Sequence, residues 1–104
     1  MKGKPLKVTD YCVLWERVIK DNGHDEMYAI EKIEVKSTGN EEIRFAYYKK
    51  TDDDKIRFIP RPLDLSESAL LELFKQKEIK KVFSTSFLIG LRDTLDKLCR
   101  QDNT

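Results

Sequence analysis

A chain of 104 residues falls in the range of a single domain, long enough to bury one core without disulfide or metal staples. Charged residues make up 38% and hydrophobic ones 39%, but the apolar residues are clustered, which speaks against disorder. Twenty Lys and Arg against 19 Asp and Glu leave a net charge of +1, which removes the simplest electrostatic argument for duplex DNA.

Cys12 and Cys99 lie near opposite ends of the chain and form neither a C-x-x-C pair nor a zinc-ligand spacing. They read as two small apolar residues of a reducing compartment, so the expected location is cytoplasmic. The basic N-terminal residues lead into no sustained apolar run, and no stretch approaches the roughly 20 apolar residues of a membrane span.

Residues 1–7, with Lys2, Lys4 and Lys7, are expected to form a loose basic arm. Tyr11 to Lys20 is rich in β-branched and aromatic residues and reads as a strand. Neither of its two parities is purely polar, which suggests contact on both faces or a bulge that changes register. Asp21-Asn22-Gly23 is a turn signal, and His24, Asp25 and Glu26 extend the loop. Three adjacent ligating side chains rarely converge on one ion, so no metal is expected there.

Met27 to Ser37 alternates in its second half, and Thr38-Gly39-Asn40 turns the chain again. In Glu42 to Lys50, Ile43, Phe45 and Tyr47 share one face, while Arg44, Ala46, Tyr48 and Lys50 share the other. Asp52-Asp53-Asp54 forms a polar turn, and Lys55 to Pro60 supplies a further strand. Three tight connections in succession predict a four-stranded antiparallel meander, which Pro60 and Pro62 bring to an end.

Two helices are expected after the sheet. Ser66 caps the first, with Leu65 and Leu70 at the staple positions, and Asp64 with Glu67 is an alternative capping box two residues earlier. Leu70, Leu71, Leu73 and Phe74 form its expected buried stripe, and Lys77, Lys80 and Lys81 complement its C-terminal end. Ser84 caps the second, with Phe83 and Leu88 as its staple and Phe87, Leu88, Leu91, Leu95 and Leu98 as its apolar face. Asp93 and Lys97 are spaced as an i, i+4 ion pair. Gly90 weakens this helix by about 1 kcal/mol, a cost that close contact with the first helix or the sheet would offset. The fold class is therefore α+β: one domain over 1–104, with the arm at 1–7, the sheet at 8–62, a helical hairpin at 63–100 packed on one sheet face, and a tail at 101–104.

Catalytic chemistry has little to stand on. The four glycines are scattered, so no phosphate-cradling loop is formed, and the one histidine sits in a turn with no nucleophile in a recognisable setting. No enzyme activity and no cofactor are expected. The remaining signal is a cation–aromatic set between residues 44 and 61, where six basic residues face three acidic ones. Bases stack on aromatic rings while nearby cations hold the backbone, so Arg44, Tyr48, Lys50 and Arg57 are the candidate contacts for single-stranded nucleic acid. Trp15 and Arg17 could extend that surface. The alternative is a protein-interaction or assembly module in which Leu88, Leu91, Leu95 and Leu98, or a sheet edge, meet another chain.

The segment EIRFAYYKKTDDDKIRFIPRPLDLSESALLELF resembles the end of the positive-cofactor-four-like, bacterial single-stranded-nucleic-acid-binding domains, through Ile43-Arg44 and the Leu65-Ser66-Glu67 helix cap. The resemblance covers about a third of the chain and implies a homodimer with single strands lying over curved sheets. In place of the family's glycine-lysine-glycine approach to the last strand stands Ile56 to Pro62, and a second helix from Ser84 to Leu98 is added.

Overall fold

The computed structural model describes residues 3–101. Five strands follow one another: β1 (Lys7–Val8), β2 (Cys12–Asp21), β3 (Glu26–Val35), β4 (Glu41–Lys50) and β5 (Ile56–Ile59). They form one antiparallel sheet in sequence order, and the helices α1 (Glu67–Lys75), α2 (Ile79–Val82) and α3 (Thr85–Gln101) come after it. The α+β class and the meander are as expected from the sequence, but the strand count is five rather than four. The extra strand is β1, where Lys7 and Val8 pair with Leu14 and Val13. Lys7 is thus part of the sheet rather than of an arm. Residues 1–2 of that arm and residues 102–104 of the tail lie outside the described residues.

The tight turns draw on left-handed backbone. Gly23, His24 and Asp25 all have positive φ, and the Asp21 carboxylate accepts the Gly23 N–H at 2.8 Å. The register of β2 against β3 shifts between Leu14 and Glu16, a bulge at Trp15. It explains the mixed parity of this strand: Leu14 and Arg17, an odd number of residues apart, both face the same side of the sheet, opposite Ile33 and Glu31.

Each face of the sheet is buried by a different means. On the first, Val18, Tyr28, Ile30 and Tyr47 form the main core with Ala69 and Leu73 of α1 and Ile79 and Val82 of α2. On the second, no helix is needed, because the sheet curls over its own side chains. Cys12, Leu14, Ile33 and Val35 cluster at one end, and Ala29, Ala46 and Tyr48 at the other.

Three expectations for the helices are corrected. The first helix stops at Lys75, because Gln76 adopts extended backbone (ψ 135°) and its side-chain amide donates to the Ile19 carbonyl at 2.7 Å. Lys80 and Lys81 therefore belong to α2, with Lys77 in the connection. Leu71, assigned to the buried stripe, is 56% exposed, while Ala69 takes a core place. The helices do not pack as a hairpin on one face: α1 and α2 cover the sheet, but α3 contributes no buried residue. The radius of gyration, 15.6 Å, exceeds the roughly 13 Å of a tightly packed chain of this length, as a helix extending from the body requires.

Candidate functional site: an apolar groove beside a buried ion cluster

The candidate nucleic-acid residues divide between two faces and three kinds of environment. Glu31 lies on β3 between β2 and β4, with Arg17 and Arg44 directly across from it. Its carboxylate is fully buried. Arg44 donates from Nε at 2.9 Å and approaches with a second nitrogen at 2.8 Å, Arg17 stands 3.8 Å away, and the Tyr48 hydroxyl donates at 2.5 Å. A buried carboxylate is tolerated only when paired and hydrogen-bonded in this way. Burial, together with the hydrogen bond to Glu31, pushes the Tyr48 phenol up to about 12. Burial alone would weaken the Arg44 cation, but the charge and hydrogen bonds of Glu31 hold its pKa above the ordinary value.

The aromatic faces nearby are also taken. Arg17 lies over the Tyr48 ring at 5.5 Å, Arg44 over Phe58 at 4.8 Å, and Arg61 over Tyr47 at 4.5 Å. Tyr48 is 3% exposed. Arg44, Tyr48 and Arg17 are thus brought together, as a structural cluster rather than as an open stacking surface. Lys50 is exposed and pairs with Asp54 at 3.3 Å. Arg57 pairs with Lys49 across the strands and so points to the opposite face from Tyr48 and its partner Phe58. Trp15, half-buried at the bulge, donates its indole N–H to Glu34 at 3.1 Å. The expectation of one shared water-facing surface is therefore corrected: the register splits the set, and Glu31 ties down its centre.

The apolar signal converges instead. Ile43 and Phe45 lie on the helix-covered side of the sheet, yet beyond the reach of the short α1, so they stay 40% and 48% exposed. They form the floor of a groove of about 1130 Å³. Leu70, Leu71 and Phe74 of α1 form one wall, and Phe87, Leu91 and Leu95 of α3 the other. The aromatic series Phe74–Phe83–Phe87, with ring centroids 5.5 and 4.8 Å apart, anchors the start of α3 to the body. Ser84 caps that helix as expected, its hydroxyl accepting the Phe87 N–H at 3.2 Å.

The four leucines proposed for a protein interface separate accordingly. Leu88 packs partly against the main core. Leu91 and Leu95 line the groove, and Leu98 is exposed one turn farther along. Asp93 pairs with Arg92 rather than standing with Lys97, and Arg100 pairs with Asp96. Nothing approaches the place where a Cβ would stand at Gly90, so the offsetting contact expected within the chain is not made.

Sequence reasoning missed Glu31 and the groove. The signals were present: Glu31 has the parity of Ala29 and Ile33, and Ile43 with Phe45 offers more apolar sheet than one short helix can cover.

No group of three or more His, Cys, Asp or Glu among the described residues could hold a metal ion, and no described helix is long and apolar enough to cross a membrane. No family model matches the chain, and no curated protein or solved structure matches it either.

Proposed function

We propose that this protein is a binding module for other polypeptides, taking an apolar helical segment into the groove between β4, α1 and α3. The observation that carries this reading is the line of exposed large side chains along the groove and its outer end: Ile43, Phe45, Leu71, Phe87, Leu95 and Leu98 are each about half exposed. Apolar surface of that extent, contiguous and concave, is what partner segments cover.

A sheet surface for single-stranded nucleic acid finds less support, because Tyr48 is enclosed and Arg44 and Arg17 are bound to Glu31.

The test is selection of a displayed library of helical peptides against the wild-type chain and against Phe45→Asp and Leu71→Asp. Leucine-faced helices should enrich on the wild type and be lost on both variants. Equal enrichment on all three, or none on the wild type, contradicts the reading.

A further inference from the structure

We infer that the groove's occupant is a second copy of this chain, each copy laying its α3 antiparallel into the groove of the other. This rests on the groove being a docking surface and names the partner. The self-fit comes from α3 carrying two features at once: its apolar stripe is a wall of its own groove and a ridge long enough to enter another. Phe87, Leu91, Leu95 and Leu98 recur at helical spacing on one side, while Asp93, Asp96, Lys97 and Arg100 lie on the far side. A two-fold pairing of this kind is isologous and closes at two chains.

The area is sufficient. Six large side chains, two of them aromatic and each about half exposed, offer at most roughly 600 Å² per copy, taking the roughly 200 Å² of an aromatic side chain as the upper value for each. Two copies bury up to roughly 1,200 Å², the lower end of stable interfaces. Gly90, open on its Cβ side, lies at the edge of the stripe and gives the partner helix room to approach. Antiparallel packing sets each body beside the other's extended C-terminal half, and it opposes the two helix dipoles.

Sedimentation velocity of the full chain, from low micromolar to sub-millimolar, should show a monomer passing to twice the chain mass. Leu95→Asp and Phe45→Asp, both at exposed positions, should remain folded by circular dichroism and stay monomeric throughout. Cys99 is exposed and Cys12 buried, so a spin label goes to Cys99. An axis near residue 93 places the two labelled backbones roughly 20 Å apart. A dimer in which the Leu95 and Phe45 variants still pair, or with labels far outside that distance, overturns the inference. A monomer at every concentration also overturns it. If peptide selection still yields leucine-faced helices, the groove then serves a foreign partner; if it yields none, the docking reading falls too.

Discussion

Glu31 decides what its neighbours can do. Removing one partner of a buried charge leaves the other uncompensated, which is why Arg17, Arg44 and Tyr48 behave as parts of the fold. Two tyrosines adjacent in sequence give a sharp test. Tyr48 donates to the buried carboxylate, whereas the buried Tyr47 hydroxyl has no hydrogen-bond partner among the described residues. At neutral pH, Tyr48→Phe should cost about 1–3 kcal/mol in denaturant unfolding, and Tyr47→Phe much less. The alkaline limb separates them further. The folded-state pKa of Tyr48 is raised from 10.0 to about 12. The stability it contributes is therefore complete below pH 10 and is lost as pH rises toward 12. Tyr48→Phe should flatten that decline in part, since the Tyr28 phenol is raised as well, chiefly by burial. An unchanged alkaline limb would count against the Glu31 contact. None of this was legible from composition. The parities of Arg44 and Tyr48 were readable, but which residue stood opposite them on β3 depended on register, and a carboxylate in an alternating strand reads as solvated.

At the scale of elements, local rules predicted more. Turn residues, strand alternation and both serine caps lie where the sequence places them, because each depends on a few adjacent side chains. The two-residue strand β1 escaped notice, since a run that short has no periodicity to read. The early end of α1 escaped too: Gln76 leaves the helix for a carbonyl on β2, a partner 57 residues away in sequence. The two caps give unequal predictions. Ser66→Ala should lower the global unfolding free energy by about 1 kcal/mol, because α1 carries Ala69 and Leu73 into the core. Ser84→Ala should leave the midpoint of the sheet's unfolding nearly unmoved and reduce mainly helical signal, because α3 contributes no fully buried residue and only Leu88 of it packs, in part, against the main core. Equal shifts would mean that α3 folds as one unit with the body.

The whole molecule consists of a curled sheet sealed on one side by two short helices and on the other by itself, with a third helix anchored only at its start. Most helical stability in proteins comes from packing of an apolar face rather than from intrinsic propensity, so α3 depends on whatever covers its leucines. The sequence made its apolar face plain but not its fate, because a stripe of leucines has the same pattern against its own sheet as against another chain. Hydrogen exchange on the dilute, monomeric chain tests this most directly. Amides from Leu91 to Leu98 should exchange orders of magnitude faster than those of Val18 and Ile30 in the core strands. Protection of α3 equal to that of the strands in the dilute monomer would show that its own body covers it, and would contradict the account of the groove as a docking surface.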